Sequence, residues 1–269
     1  MKPEPKALLP VILIGLVVGG CVHLAATRLT LPASHTVVRE QLVVHSDFPV
    51  AATHRLLEEL TARRMDLSNR LEIPVSEEPI HVYLFDDADR FGGFIRLNYP
   101  DFPPRRAYFL ETDTRLQVYA QWGDRVAEDL RHEVSHGYLH SVVPNLPLWL
   151  DEGLAEFFEV PRGNRGLNRT HLELLAARAQ LGQWEPDLGR LETFDRPFEM
   201  TQDDYAEAWA WVHFLSETGP EHRGLLCDYL SDLRVQGSAE PLSERLGRRL
   251  AQPQRALVEH VRWLATAAD

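Results

Sequence analysis

Two consecutive helix-like segments carry the pattern that most constrains the fold of this chain. The first, "DRVAEDLRHEVSHGYLHSV", repeats apolar residues every four positions and places His132 and His136 one turn apart, on the side opposite Val134. The second, "LWLDEGLAEFFE", follows the turn in "HSVVPNLP" and contains Glu152. We expect the second helix to fold back on the first, which would bring Glu152 close to both histidines.

These three side chains have the chemistry of a zinc site. Two imidazoles on adjacent turns can share one tetrahedral Zn²⁺, and Glu152 as third ligand leaves one position open for water. Glu133 follows His132 directly, where a general base that takes a proton from water is required. With 12 histidines in the chain, an HExxH pattern can arise by chance, but the "WLDEGLAEFF" context makes chance the weaker explanation.

Several neighbours are predicted to support the site. Glu156 follows Glu152 by four positions, so it shares a helical face and could hydrogen-bond a ligand histidine. Gly137 and Gly153 are expected to let the two helices approach closely. His140 continues the four-residue spacing but lies one turn, about 5.4 Å, beyond the metal, so we expect an outer or surface group.

The residues His132, Glu133, His136 and Glu152 in this context resemble the gluzincin superfamily of zinc metallopeptidases. The similarity is strongest to the bacterial peptidase MA-like group, largely described as a domain of unknown function, and it covers residues 122–214. The resemblance implies a zincin-like fold, a zinc ion held by the two histidines and Glu152, and Glu133 as general base.

The resemblance has two further implications for substrate. The strand "RLQVYA", which precedes the HExxH helix, would be the edge strand that receives an extended peptide by backbone pairing. Gluzincins commonly supply a tyrosine or histidine from a later helix to stabilise the oxyanion, and Tyr205 is the candidate here. Tyr205 packed at a domain seam is the alternative. Asp129 is open between contact with the site and a role as a first-turn acidic residue that the helix dipole favours, and Asp151 between contact with the site and exposure to solvent.

The remaining patterns predict an α+β fold. Segments that alternate β-branched and aromatic residues lie before Gly123, and the chain after it has helical spacing interrupted by prolines. We expect a small mixed sheet, then the active-site helix, then a mostly helical C-terminal lobe. The predicted boundaries are a zincin-like lobe over residues 35–160 and a helical lobe over residues 161–269. Cys227 is expected to be a buried thiol.

The first 30 residues predict export. Two lysines precede "ALLPVILIGLVVGG", fourteen residues without a charge, and Cys21 follows. This arrangement resembles a bacterial lipoprotein signal with Cys21 as the lipidated residue; an uncleaved transmembrane anchor over residues 7–26 and a cleaved signal are the alternatives. We expect this segment to place the protein in the bacterial cell envelope, held at the membrane.

Charge and motif together narrow the function. A net charge of −12 argues against a nucleic-acid partner, which needs a basic surface. No GxMEN-like segment that would capture a free amino terminus lies between residues 80 and 131, which favours an endopeptidase. The sequence therefore predicts a membrane-tethered zinc endopeptidase acting on peptides or proteins. A non-catalytic zinc scaffold and a hydrolase of a non-protein amide, such as a cell-wall cross-link, stay open.

Overall fold

The computed structural model describes residues 30–267. Residues 1–29 of the predicted signal or anchor segment, which include Cys21, therefore lie outside the described residues. Among residues 30–267, no helix has the length and apolarity that crossing a bilayer requires.

Five strands form one mixed sheet in the order β1-β2-β3-β5-β4. The two outer pairs, β1–β2 and β4–β5, are antiparallel hairpins, whereas β2–β3 and β3–β5 are parallel. The strands are β1 (His35–Arg39), β2 (Leu42–Ser46), β3 (Ile80–Phe85), β4 (Ala107–Thr112) and β5 (Arg115–Gln121).

Helices cover both faces of this sheet. Helix α1 (Arg55–Leu71) connects β2 to β3, and α2 (Ala88–Asn98) begins after Asp87, whose carboxylate accepts a hydrogen bond from the backbone N–H of Arg90. Alternation along β3 sends Ile80 and its even-numbered neighbours into the main core, and Tyr83 with its odd-numbered neighbour into a smaller aromatic cluster with α2. Each face of the central strand is therefore buried.

The rest of the described chain is helical. Helix α3 carries the HExxH motif and packs on β4, β5 and α1, and α4 lies between α3 and α7. The helices are α3 (Val126–His140), α4 (Leu148–Glu159), α5 (Arg169–Gln180), α6 (Leu188–Leu191), α7 (Gln202–Glu217), α8 (Pro220–Gln236), α9 (Leu242–Arg249) and α10 (Pro253–Ala267). A sheet followed by helices confirms the predicted α+β class.

One strand assignment was wrong. The segment "RLQVYA" is β5, which pairs with β3 on one side and β4 on the other, so the edge strands of the sheet are β1 and β4. Strands β4 and β5 form a hairpin, and its second strand, β5, pairs in parallel with β3. At this side of the sheet β4, not β5, is therefore the strand available for pairing with an extended peptide.

The main apolar core continues past the predicted lobe boundary. Side chains from both sides of residue 160 belong to one buried cluster, and Trp149 of α4 and Trp209 of α7 are completely buried in it. Trp209, Trp211, His213 and Phe214 of α7 are all buried, and Cys227 is a buried free thiol, as predicted. The division into lobes at residue 160 stays a prediction.

Candidate metal centre

Helix α3 places the two histidines of the motif side by side. Its apolar stripe, including Leu130 and Val134, is completely buried against the core, which turns His132 and His136 toward α4. Their ring centroids lie 5.0 Å apart. The spacing of four residues therefore produces the pairing that the sequence predicts.

Glu152 of α4 completes a three-residue group. Its Oε2 lies 3.5 Å from Nε2 of His132 and 3.9 Å from Nε2 of His136. The three potential ligand atoms all lie within 4.8 Å of one another. The predicted donor set is thus assembled from two helices at one point.

The two glycines act differently from the prediction. A Cβ on Gly137 would come within 2.9 Å of the Ile80 side chain, and a Cβ on Gly153 within 2.7 Å of the Ala208 carbonyl oxygen. Gly137 therefore lets α3 approach the sheet, and Gly153 lets α4 approach α7. Their effect on the site is indirect, because they allow close packing of α3 on β3 and of α4 on α7 rather than of α3 on α4.

In each of the two histidines, the ring nitrogen that points away from Glu152 forms a hydrogen bond with another carboxylate. Nδ1 of His136 lies 2.8 Å from Oδ1 of Asp151, and Nδ1 of His132 lies 3.0 Å from Oε2 of Glu159. Since a carboxylate only accepts, each Nδ1 donates its proton and each Nε2 is left as the side that faces Glu152. Outer carboxylates of this kind orient ligand histidines and make them better donors to a metal.

Glu159, rather than Glu156, is the outer partner of a ligand histidine. Oε2 of Glu156 lies 2.8 Å from Nε2 of His171 and accepts a hydrogen bond of 3.2 Å from Asn168. The prediction that Glu156 bonds a ligand histidine was therefore wrong. Glu159 is seven residues after Glu152 and three after Glu156, so helical spacing alone could have identified it.

His140 supports Asp151 from the side away from the ligands. Its Nε2 lies 3.0 Å from Oδ2 of Asp151 and its Nδ1 lies 2.6 Å from Oε2 of Glu111. Burial alone would lower the pKa of His140, but the carboxylate of Asp151, helped by Glu111, raises it to about 9. His140 is thus an outer cation, and Asp151 contacts the site, whereas Asp129 pairs with Arg106.

The electrostatics favour a bound cation. Burial alone would lower the pKa of His132, but the carboxylates of Glu152 and Glu159 raise it well above its ordinary value. Burial alone would raise the pKa of Glu152, but His132 and His136 lower it. These directions mean that the histidines attract positive charge and the glutamate keeps its negative charge.

A buried atom without a partner tests whether a metal fits. Oε2 of Glu152 is shielded from solvent and accepts no hydrogen bond from any residue between 30 and 267. A buried carboxylate oxygen in this condition is costly unless a cation contacts it. Two imidazole nitrogens and a carboxylate oxygen are the ligands that a catalytic Zn²⁺ uses, so these residues fit the ion.

Glu133 lies where two cavities meet. One cavity, of about 580 Å³, has an apolar wall that includes Phe109 and Phe198. The other, of about 500 Å³, is lined mainly by charged side chains, and both cavities contain Glu133 and Arg105 in their walls. Burial raises the pKa of Glu133, and no hydrogen bond from another described residue occupies its carboxylate. It is therefore free to exchange a proton with a bound molecule.

Tyr205 reaches the site through a residue that the sequence did not single out. Its hydroxyl accepts a hydrogen bond of 3.2 Å from Nη2 of Arg105 and donates one of 3.4 Å to the carbonyl of Pro197. Arg105 precedes β4 by two residues and is attracted by the charges of Glu152 and Glu133. Tyr205 is itself buried. Its side chain is therefore packed in the interior and, through its hydrogen bond with Arg105, also lies beside the site.

Comparison with known proteins adds one finding. Residues 127–234 match a family model described as a protein of unknown function (DUF1570). This range contains His132, Glu133, His136, Glu152 and Tyr205. No curated protein matches the chain. The resemblance to a domain of unknown function is therefore confirmed over these residues, and the more specific assignment to gluzincin peptidases stays a prediction.

Proposed function

We propose that this protein is a zinc-dependent endopeptidase of the gluzincin type. The observation that carries the proposal is the convergence of His132, His136 and Glu152 on one point, with an outer carboxylate on each histidine. The buried, unpartnered oxygen of Glu152 adds to it. A zinc ion bound there would polarise the scissile carbonyl and activate the attacking water.

The residues around this point have distinct tasks in the reaction. Glu133 accepts the proton of the attacking water and passes it to the leaving amine, a task for which its raised pKa and its place between two cavities suit it. Arg105 supplies N–H donors for the negative charge that develops on the carbonyl oxygen, and the Tyr205 hydroxyl joins it when it turns from the carbonyl of Pro197. Asp151 and Glu159 keep the ligand histidines in one tautomer.

Substrate would bind along the edge strand. Strand β4 has one neighbour, β5, among the strands of the described chain, and Phe109 of β4 stacks on His136 with ring centroids 5.7 Å apart. An extended peptide paired with the free edge of β4 would therefore pass beside the ligands. The apolar cavity of about 580 Å³ would take a large apolar side chain next to the scissile bond. Membrane tethering through residues 1–30 and placement in the bacterial envelope are parts of the same proposal.

Zinc content and cleavage test this function together. We expect one zinc per chain in the wild type, less in Glu152→Ala, and loss of casein cleavage with retained zinc in Glu133→Gln. Glu173→Gln is the matched control, since Glu173 is exposed on α5 and contacts no described residue by hydrogen bond or ion pair.

Three results would redirect the proposal. Absence of zinc from the wild type would contradict it outright. Stoichiometric zinc without cleavage of casein but with cleavage of a cell-wall peptide cross-link would assign a non-protein amide as substrate. Stoichiometric zinc and equal inactivity of wild type and Glu133→Gln on both substrates would favour the scaffold.

A further inference from the structure

Five arginines line one cavity outside the metal centre. The cavity has a volume of about 640 Å³ and lies where α1, the segment after α4 and the start of α8 meet. This concentration of positive charge contrasts with the net charge of −12 of the chain. The arginines are Arg63, Arg70, Arg162, Arg165 and Arg223.

Two carboxylates pair with three of these arginines. Asp66 accepts two hydrogen bonds from Arg162, at 2.5 and 2.8 Å. Glu217 is shared, because it contacts Arg70 and also lies 2.6 Å from Nη2 of Arg165. The other two of the five guanidinium groups have no carboxylate within ion-pair distance, so positive charge is in excess along this lining.

The two remaining arginines have no acidic partner among residues 30–267. Arg63 is 5% exposed; its Nη2 donates to the carbonyl of Val160 at 2.7 Å, and its Nε has no hydrogen-bond acceptor. Arg223 is exposed at the rim and makes no hydrogen bond or ion pair within the described chain. A buried guanidinium without a counter-ion is costly. Burial lowers the pKa of Arg63 to about 10, although the charges of Asp66 and Glu59 partly offset it.

Aromatic rings hold the buried side of this cavity in place. The guanidinium carbon of Arg70 lies 5.6 Å from the ring centroid of Phe157, and that of Arg63 lies 5.9 Å from Phe158. Gly166 has a φ of +74°, and a Cβ there would collide with Phe157, so the loop after α4 closes tightly over the ring. Arg63 and Arg70 are thus oriented before any ligand arrives.

We propose that this cavity binds a phosphoryl group carried by a small molecule or a lipid headgroup. Guanidinium forks match the oxygens of a phosphate, and the two guanidinium groups without a carboxylate partner favour an oxyanion that accepts several hydrogen bonds. Phe157, Phe158 and Pro161 provide an apolar wall for the group attached to the phosphate. The site is separate from His132, His136 and Glu152, and it does not depend on the proposed peptidase activity.

Binding of three probes to the full chain in a non-ionic detergent tests this inference. The probes are inorganic phosphate, glycerol 3-phosphate and dihexanoyl phosphatidylglycerol below its micelle concentration, each compared with sodium chloride at equal ionic strength. We expect a phosphate-dependent rise in melting temperature and saturable heat in calorimetry. Tighter binding of glycerol 3-phosphate would identify a soluble ligand, and tighter binding of the phosphatidylglycerol a lipid headgroup.

Matched arginine variants locate the site. Arg223→Gln is expected to weaken phosphate binding about tenfold, in line with loss of one charge-assisted contact. Arg249→Gln should leave binding unchanged, because Arg249 is also exposed and unpaired but lies on α9. Persistence of binding in Glu152→Gln would separate it from the metal centre. Equal binding by wild type and Arg223→Gln, or no effect beyond that of chloride, would overturn the proposal.

Discussion

Two buried histidine pairs in this protein have opposite properties. His132 and His136 have ring centroids 5.0 Å apart, and those of His213 and His260 are 5.1 Å apart. Carboxylates surround the first pair, whereas Trp209, together with Phe214 and Trp263, packs around the second. Nδ1 of His213 lies 3.0 Å from Nε2 of His260, so each ring satisfies the other without an acid.

Neighbouring charge, not burial, makes the difference. Burial lowers the pKa of His213 to about 3, with repulsion from His260 and Arg165 adding to it, and burial lowers that of His260 to about 4. Burial also acts to lower the pKa of His132 and His136, but there the neighbouring carboxylates raise the pKa by more than burial lowers it. Only the first pair therefore lies among negative charges that would attract a cation, and the second is a neutral part of the core.

We expect the largest effect on zinc affinity from removing the negative charge of Glu152, which faces both His132 and His136. Glu152→Gln keeps the size of the side chain but leaves two neutral imidazoles to hold the ion, so we expect zinc affinity to fall by more than about 100-fold. Competition with a chromophoric chelator measures the change. His260→Gln is the control from the second pair and should bind zinc with the affinity of the wild type. A comparable loss of zinc affinity in both variants would contradict the proposed difference between the two histidine pairs.

Acid should destabilise the protein through the second pair. The folded pKa values of His213 and His260 lie below the ordinary value of 6.5, so between pH 6.5 and about 4 the unfolded chain binds protons that the folded chain refuses. Stability therefore falls as pH falls through this window, by about 3 kcal/mol for each of the two histidines. Denaturant unfolding of metal-free protein at pH 7 and pH 4.5 measures it.

A double variant isolates that contribution. Replacing both residues, His213→Gln and His260→Gln, should reduce the difference in unfolding free energy between the two pH values, whatever the overall stability. The raised pKa values of His132 and His136 place their own proton uptake above pH 6.5. An unchanged pH dependence in the double variant would show that the second pair is protonated in the folded state.

The outer carboxylates should have an intermediate effect on metal binding. Asp151→Asn and Glu159→Gln each remove the charge that fixes one ligand histidine, and partners of this kind typically contribute 10- to 100-fold, about 1.4–2.7 kcal/mol. Zinc titration measures both variants. Affinities equal to wild type would show that ring orientation is set by packing alone.

The smallest expected effect distinguishes two glutamates on one helix. Glu156→Gln should change zinc affinity by no more than about twofold, because Glu156 contacts His171 and accepts a hydrogen bond from Asn168 rather than contacting a candidate ligand histidine. Glu159→Gln, three residues further along α4, is the matched comparison. A larger loss in Glu156→Gln than in Glu159→Gln would mean that the outer partner of His132 has been misidentified.

Local patterns predicted much of the metal centre. A spacing of four residues on a helix fixes the separation of two side chains wherever the helix lies, so His132 and His136 could be paired from the sequence. Glu159 was open to the same reasoning, since it shares a helical face with Glu152. Arg105 was not, because a loop residue 100 positions from Tyr205 carries no local signal of that contact.

The sequence by itself determined the α+β order of elements and the helix that carries the HExxH motif, and it predicted the candidate donor residues, because periodicity and helical geometry act over a few residues. Only the tertiary structure decided that β4 rather than β5 lies at the edge of the sheet, that Gly137 faces β3, and that arginines from three segments line one cavity. These outcomes depend on which surfaces meet after the core is buried. The same long-range packing gave one histidine pair its carboxylates and the other its aromatic rings.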